Sequence, residues 1–317
     1  MPPARPPRYG LPLRRVEADD ITVREPRPED AAAIADLLNR HAVANTGEPA
    51  VSTSIVAHWL GLPRIRFWIA ERGDELAAYA DIGERAERTR YWVDLRSVDG
   101  EATGELIETI ERWVLGRAAA DARIFAIVDE PDGATRDAYE QAGYRPVRHA
   151  FEMEIDLADE PPEPSWPEGV VVRRFRPGAD DARLHQAVEE AFADHWEYSP
   201  TEFGEWRQGH LKDPDFEPDL VFLAEDGGEI AGVALDYVRQ AGEPYGLVDI
   251  LGVRRPWRGR GLGLALLHAS FGAFRDRGLS RAKLEVDAEN VSGAVRLYER
   301  AGMHVVKRWV NYEKRLR

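Results

Sequence analysis

Residues 246–277 read GLVDILGVRRPWRGRGLGLALLHASFGAFRDR, and the order of residue types in this stretch decides the fold. The apolar, β-branched run that ends at Val253 predicts a strand. A loop rich in glycine and arginine follows it. Apolar residues then recur at helical spacing from Leu264 to Phe274, which predicts a helix that ends at Gly278.

The loop between this strand and helix has the composition of an anion-binding site. Gly259, Gly261 and Gly263 lack Cβ atoms, so their backbone can approach a ligand closely. The first amides of the following helix have no partner within the helix and suit a phosphate oxygen. Neither G-x-G-x-x-G nor G-K-[ST] fits, because Leu266 stands where the third glycine of the first motif belongs. The remaining pattern is R-x-x-G-x-G, starting at Arg258.

A second signature follows downstream. Residues 282–286 alternate as a strand, and a short apolar-periodic helix then contains Tyr298 and ends at Gly302, with Asn290 before it. Together with the R-x-x-G-x-G loop, this order resembles the GNAT family of acyl-CoA-dependent N-acyltransferases. For the glycines taken alone, a tight strand-to-helix turn without a ligand is the alternative interpretation.

The resemblance implies a ligand and a reaction. In that family the loop amides hold the coenzyme A pyrophosphate, and main-chain groups of the preceding strand contact pantetheine and the thioester. It implies an α/β fold with a mixed sheet, acetyl-CoA as co-substrate, and direct transfer of the acetyl group to a primary amine in a ternary complex. The cofactor-binding residues it implies are Leu251, Gly252, Val253, Arg258, Gly259, Arg260, Gly261, Leu262, Gly263, Asn290 and Tyr298.

The composition is that of a globular, acidic protein. A chain of 317 residues can form about two domains. The net charge of −15 disfavours nucleic acid and anionic membranes as partners; it is compatible with a cationic substrate, and solubility alone also explains it. No apolar run approaches the roughly 20 residues of a membrane span, and residues 1–20 lack a signal core. We therefore expect a cytoplasmic protein.

Other classes of site are disfavoured by residue type. Cysteine is absent, which excludes disulfides, thiolate ligands and a cysteine nucleophile. His195 and His210 do not form a closely spaced metal-binding pair, so we expect no metal site. The expected partner is a small-molecule amine, and the expected state is a monomer or a homodimer.

The chain contains the same unit twice. Arg27-Pro28 corresponds to Arg176-Pro177, and Tyr139-Glu140-x-Ala142-Gly143 corresponds to Tyr298-Glu299-x-Ala301-Gly302. This repeat predicts two tandem GNAT domains. The expected organisation is a flexible arm over 1–20, an N-terminal domain over 21–157, a proline-rich linker over 158–168 and a catalytic C-terminal domain over 169–317.

The two copies differ at the phosphate loop. Thr103, Leu106 and Glu108 stand where the second copy has Arg258, Gly261 and Gly263. Asp99, Glu101 and Glu105 crowd the same segment and would repel a pyrophosphate. We therefore expect coenzyme A in the second half alone.

This organisation resembles the mycothiol synthase family, in which both halves are GNAT folds and the C-terminal half is catalytic. A narrower possibility follows, in which the acceptor is a cysteinyl amine on a sugar–inositol scaffold. An alternative from another class is a protein that binds acyl-CoA without turnover, as a sensor or assembly module.

Tyr298 occupies the position that the family uses for its general acid. A phenol with an ordinary pKa near 10 can protonate a thiolate of similar basicity. Packing against the sheet is the alternative, because Tyr139 persists in the first copy although the phosphate loop there is lost.

Two residues are candidates for the general base. Asp249 lies two residues before Leu251, so a regular strand would place both on one face. Its counterpart Asp94 also persists in the first copy, so a hydrogen-bonding role is an alternative. His195 is the second candidate because its ordinary pKa is near neutral.

The segment from Phe192 to Tyr198 interleaves aromatic residues with carboxylates, which suits a cationic acceptor. In the GNAT family, the segment between the first strand and the β-hairpin that follows it lies over the acetyl end of the cofactor, and the resemblance places residues 192–198 in that segment. The predicted substrate-binding residues are Asp194, Trp196 and Glu197. An amphipathic helix that buries the aromatic residues is the alternative.

Overall fold

The computed structural model describes residues 20–84, 87–290 and 293–316. Most of the predicted N-terminal arm, residues 1–19, lies outside the described residues. Within the described ranges, all strands join one twelve-stranded mixed sheet with helices on both faces. The predicted fold class, a mixed α/β fold repeated in tandem, is confirmed. No helix in this part of the chain has the length and apolar character needed to cross a membrane.

The first half contributes six strands and four helices. In chain order they are β1 (Ile21–Arg24), α1 (Ala31–Thr46), α2 (Thr53–Trp59), β2 (Ile65–Arg72), β3 (Glu75–Glu84), β4 (Arg90–Ser97), α3 (Gly100–Leu115), β5 (Arg123–Asp129), α4 (Gly133–Gln141) and β6 (Arg145–Asp156).

The second half repeats that order. Its elements are β7 (Val170–Arg174), α5 (Asp181–Phe192), α6 (Phe203–His210), β8 (Phe216–Asp226), β9 (Glu229–Arg239), β10 (Tyr245–Val253), α7 (Leu262–Asp276), β11 (Arg281–Asp287), α8 (Ala294–Arg300) and β12 (His304–Arg315).

The α3 helix begins at Gly100 because the Asp99 side chain accepts hydrogen bonds from two first-turn amides. The β6 strand is long, from Arg145 to Asp156, and it pairs on both edges with strands of the second half.

The last strands of the two halves are exchanged. The order across the sheet is β1-β2-β3-β4-β5-β12-β6-β11-β10-β9-β8-β7. The β6 strand therefore pairs with β11 of the second half, and β12 pairs with β5 of the first half. The two exchanged strands also pair with each other at the centre. Each half thus completes its sheet with a strand from the other half, while the domain limits in the sequence stay a prediction.

Two salt bridges outside the sheet also connect the two halves. Glu48, after α1, accepts a hydrogen bond from Arg281 at the start of β11, with 2.7 Å between Oε1 and Nη1. Glu197, after α5, accepts one from Arg123 at the start of β5, with 2.6 Å between Oε2 and Nη2. The two contacts occupy equivalent places in the repeat, so each half reaches across to the other in the same way.

The second half buries apolar side chains on both faces of its sheet. Phe271 and Phe274 of α7 pack on one face, and Leu184 of α5 and Trp206 of α6 pack on the other. Gly246 of β10 lies directly under α7, where an added Cβ would approach the Phe274 ring to 2.3 Å. This contact holds α7 close against β10, beside the predicted phosphate loop.

Candidate active site

The central feature of the second half is a gap between two parallel strands. The β10 and β11 strands pair at Gly246↔Ala282 and Leu247↔Lys283 and then diverge. In the first half, the equivalent strands β4 and β5 stay paired over five positions, from Arg90 to Asp94 on β4. The main-chain groups at the β11-facing edge of β10 are therefore open to a ligand beyond residue 247, whereas those of β4 stay paired as far as Asp94.

A β-bulge lies where this gap opens. The β9–β10 register shifts between Val248 and Ile250. Val248 packs on the α7 face, and Ile250 packs on the α5–α6 face. Asp249 lies beside α6, with its carboxylate 3.4 Å from His210 Nδ1, while Leu251 packs on the α7 face. The expectation that Asp249 and Leu251 share a face is therefore wrong, because the extra residue resets the alternation.

The phosphate loop has the backbone that its glycines predict. Gly259 and Gly261 adopt left-handed φ angles of 75° and 86°, which side chains disfavour. At Gly263 an added Cβ would lie 3.2 Å from Leu297 Cδ2. Within the described residues, the amides of Leu262 and Gly263 in the first turn of α7 have no acceptor. The helix N-terminus is therefore available to an anion.

A cavity of about 920 Å³, here called the larger cavity, starts at this loop and runs along β10. Every predicted cofactor-binding residue except Arg260 lines it, and direct contact with a cofactor stays a prediction. Those lining residues are Leu251, Gly252, Val253, Arg258, Gly259, Gly261, Leu262, Gly263, Asn290 and Tyr298. Arg260 points elsewhere and donates to Asp226 and to the backbone oxygen of Glu168.

Arg258 fastens the loop to the end of α5. Its Nε donates to the oxygen of Val253, and its Nη2 donates to the oxygen of Ala191. Its Nη1 lies 2.8 Å from Asp194, which also pairs with Arg255. Hydrogen bonds from Arg258 and Arg255 lower the pKa of Asp194. Asp194 is thus paired with two arginines of the same chain at an exposed position, and its predicted contact with substrate stays a prediction.

In the first half, a carboxylate of the protein occupies the equivalent helix terminus. Asp99 accepts hydrogen bonds of 3.0 Å from the amides of Glu101 and Ala102 in α3. Arg72 Nε donates to the same carboxylate at 2.8 Å, and this bond lowers the pKa of Asp99. An anionic ligand would have to displace this carboxylate. The structure thus gives a physical reason why the first half is expected to lack the cofactor.

Tyr298 of α8 is buried, with 7% of its surface exposed, and it lines the larger cavity. Burial raises the pKa of its phenol to about 12. Its hydroxyl forms no hydrogen bond with the other described residues. Tyr139 in the first half packs instead against Tyr144 and Tyr312. A role of Tyr298 as an acid stays a prediction, and its hydroxyl is free to take it.

A second cavity of about 320 Å³, here called the smaller cavity, spans the gap between β10 and β11. Asp249 and Glu285 line it from the two strands, and Tyr298 lines it from the α8 side. Residues of the first half form another wall, including Trp92 of β4 and Arg148 of β6. The strand exchange is the reason that β6 lies next to β11 and reaches this cavity.

The loop after α5 is anchored on the first half. Trp196 packs edge-on against Trp92 and Phe125, with ring centroids 5.6 and 5.3 Å apart. Glu197 pairs with arginines of β4 and β5 and does not line either cavity. His195 is an exposed residue that lines both cavities, and partial desolvation by the protein around it lowers its pKa. The substrate contacts predicted for Trp196 and Glu197, and a catalytic role for His195, stay predictions.

The sequence did not predict several of the residues that line the cavities. Arg148 Nε donates to Asp287 at 2.8 Å across the exchanged strands, and no local sequence pattern predicts a contact between residues so far apart. Arg300 lies at the rim of the larger cavity. The position of Glu285 could have been predicted from the sequence. The alternation of residues 281–287 places it on the face of the strand opposite the apolar Leu284 and Val286.

Comparison with known proteins assigns the fold and the class. Residues 183–303 match the acetyltransferase (GNAT) family. A GCN5-related N-acetyltransferase from Sphaerobacter thermophilus is 36% identical, with a TM-score of 0.75 over 94% of this chain and 96% of that chain. A tandem GNAT protein of the clavulanic acid biosynthesis pathway shares the fold at a TM-score of 0.72 and 14% identity, over 93% of this chain and 98% of that chain. The chain belongs to the GNAT family of acetyltransferases.

Relatives of similar length are mycothiol acetyltransferases. The protein of that name from Thermobispora bispora is 33% identical over 302 residues, which cover 89% of this chain and 95% of the relative. The one from Streptomyces avermitilis is 33% identical over 290 residues, with coverage of 87% and 88%. These matches confirm the prediction of an acyltransferase of the N-acetyltransferase type and disfavour a binder without turnover. Acetyl-CoA is the general co-substrate of this family.

Proposed function

We propose that this chain transfers the acetyl group of acetyl-CoA to a primary amine of a small molecule, by direct attack in a ternary complex held by the second half. The observation that carries this proposal is the gap between β10 and β11 beside an uncapped helix N-terminus. The first half lacks both features, because β4 and β5 stay paired and Asp99 caps α3.

The two cavities fit the two substrates. The pyrophosphate binds the first-turn amides of α7, and the pantetheine arm follows the open edge of β10 through the larger cavity. The thioester then lies in the gap, where the amine attacks the carbonyl carbon. Tyr298 protonates the departing thiolate. Desolvation in the gap disfavours the charged form of both groups, so it raises the pKa of the coenzyme A thiol as it raises that of the Tyr298 phenol. The thiolate and the phenolate therefore stay comparable in basicity.

The acceptor occupies the smaller cavity. Asp249 and Glu285 give that cavity carboxylates that attract an ammonium group, and Trp92 and Trp196 give it flat apolar surface. Because the full-length relatives are mycothiol acetyltransferases, the amine precursor of mycothiol is the first acceptor to test. Simpler primary amines form the rest of the panel.

Calorimetry with coenzyme A tests the cofactor site. Gly261→Asp places a carboxylate at the N-terminus of α7, and like-charge repulsion should weaken binding at least about tenfold. Gly278→Asp is the matched control at the other end of the same helix. Its φ of 77° is also left-handed, and nothing lies within 4 Å of an added Cβ. We expect the control to bind as the wild type does.

Turnover is measured as free thiol released from acetyl-CoA across the amine panel. Equal coenzyme A affinity in wild type and Gly261→Asp would refute the assigned phosphate site. An absence of thiol release with every amine would refute the proposed reaction.

A further inference from the structure

Glu285 lies at the opening of the gap. The pairing of β10 with β11 ends at Leu247↔Lys283, so Asp249 and Glu285 stand two positions further along the diverging strands. The side chain of Glu285 is exposed, and it lines the smaller cavity together with Tyr298. A ligand in that cavity can therefore reach its carboxylate.

The carboxylate of Glu285 differs from its neighbours in having no partner among the described residues. Asp249 is 3.4 Å from His210 Nδ1, and Asp287 forms an ion pair with Arg148 at 2.7 Å. No hydrogen bond or ion pair within the described ranges engages Glu285. Its oxygens are thus available to a cation in the cavity.

Comparison of the two halves distinguishes Glu285 from Asp249, because a carboxylate at the position of Glu285 occurs in the second half alone. Residues 281–287 of β11 read RAKLEVD, and the equivalent residues 123–129 of β5 read RIFAIVD. The arginine at the start and the Val-Asp pair at the end are the same, but Ile127 stands in the place of Glu285. A carboxylate thus occurs here in the half that has the phosphate loop and is missing from the half that lost it. Asp249, by contrast, keeps its counterpart Asp94 in both halves.

Charged groups face Glu285 from four other strands. They are Glu152 of β6, Lys307 of β12, Asp249 of β10 and Asp94 of β4. Although the carboxylate is open to the cavity, desolvation by the protein packed around it, followed by the negative charge of Glu152, raises the pKa of Glu285 to about 7, while Lys307 opposes the shift. A base is most effective when its pKa lies near the working pH.

We propose that Glu285 binds the ammonium group of the acceptor and removes its proton, an inference that rests on the proposed function. The proton passes from the acceptor nitrogen to a carboxylate oxygen, and the freed lone pair attacks the thioester carbonyl carbon. The tetrahedral intermediate collapses with cleavage of the C–S bond, whose electron pair stays on sulfur. The thiolate takes a proton from Tyr298, and the nitrogen of the intermediate returns one to that phenol. The proton on Glu285 leaves to solvent, so acetamide, free thiol and one proton are the products.

The test compares Glu285→Gln with wild type in kcat/KM for the most active amine between pH 5.5 and 9. Wild type should lose activity below an apparent pKa of about 7, because protonated Glu285 is not a base. In Glu285→Gln that limb should disappear, and the rate should fall about 100-fold. Two amines of different basicity identify the enzyme limb, since it stays at the same pH for both.

Three further measurements keep the outcomes separate. Coenzyme A affinity should be unchanged in Glu285→Gln, and thermal stability should not fall, since the variant removes a carboxylate whose raised pKa costs stability when it is ionised. Both results would rule out a structural defect. Glu154→Gln on β6 is the control, because Glu154 lies on the neighbouring strand and outside both cavities. Asp249→Asn tests the rival base.

A wild-type rate and an intact acid limb in Glu285→Gln would overturn the inference, as would loss of the limb in Asp249→Asn instead. If wild type binds acetyl-CoA and releases no thiol, the proposed function itself fails. That result is distinct from an active wild type with an equally active variant.

Discussion

Replacement of Glu197 by glutamine should loosen the loop that carries His195 and Trp196. The Glu197 carboxylate accepts three hydrogen bonds, one of 2.6 Å from Arg90 Nε and two of 2.6 and 2.8 Å from Arg123. Its own backbone is held at a φ of 51°, which is uncommon for a residue with a side chain. The ion pairs therefore fix a turn that the backbone alone disfavours.

The expected loss of stability follows from the burial of this cluster. Removing one partner of a fully buried ion pair costs about 3–5 kcal/mol. Here the Glu197, Arg90 and Arg123 side chains keep 14%, 27% and 22% exposure, and Arg90 retains a bond to Glu87. We therefore expect the free energy of unfolding to fall by about 2 kcal/mol, measured by denaturant titration at pH 7.

The cost should depend on pH in a defined direction. Burial alone would raise the pKa of Glu197, but the bonds from Arg123 and Arg90 outweigh it and lower the pKa below the ordinary value of 4.5. The carboxylate thus stabilises the fold fully above pH 4.5, and this contribution is lost as the pH falls through the lowered pKa. Wild type and variant should converge in stability at acid pH.

The matched control is Glu48→Gln, the equivalent contact in the repeat. Glu48 bonds Arg281, but 46% of its side chain is exposed, so we expect a loss below about 1 kcal/mol. Glu197→Gln should raise the acceptor KM about fivefold, about 1 kcal/mol of binding. Coenzyme A affinity should change less, because the first-turn amides of α7 do not depend on this loop, and Glu48→Gln should change neither. Equal effects in the two variants, or a loss of coenzyme A affinity in place of acceptor affinity, would refute this reasoning.

Two further predictions concern Tyr298 and the number of cofactor sites. Because burial raises the pKa of Tyr298 to about 12, the phenol stays protonated to pH 10, so kcat should show no falling limb up to that pH. Tyr298→Phe should lower kcat about 100-fold at every pH, and an unchanged kcat would exclude the acid role. Calorimetry should give one coenzyme A per chain, and it should still do so in Asp99→Asn, because β4 and β5 remain paired when the charge is removed. A second site in that variant would show that the charge alone blocks the first half.

The features that the sequence predicted correctly are those encoded by neighbouring residues. The helical spacing from Leu264 to Phe274 and the glycines at 259 and 261 depend on local backbone geometry, and the structure has both. The tandem order was predictable because the repeat is visible in the residues themselves. Similarity within a repeat, however, carries no information about which copy a strand pairs with, so the exchange of β6 and β12 was missed.

The side-chain contacts that the sequence did not predict have a similar cause. Arg258 and Asp194, for which a cofactor contact and a substrate contact stay predictions, also bond each other across 64 residues. One extra residue at Asp249 changed which face the strand presents, and a bulge of this kind has no reliable local signal. Contacts between residues far apart in the sequence thus determine these side-chain positions, and local sequence patterns do not predict such contacts.

The exchanged strands also constrain the order in which the chain can fold during synthesis. The open edge of β5, residues 123–129, is covered by β12, residues 304–315, which leaves the ribosome much later. At about 5–20 residues per second, the first half waits on the order of ten seconds or longer with that edge exposed. Contacts between residues so far apart also slow the final step of folding. We expect the partly synthesised chain to depend on chaperones, because the unpaired edge of β5 is prone to aggregation.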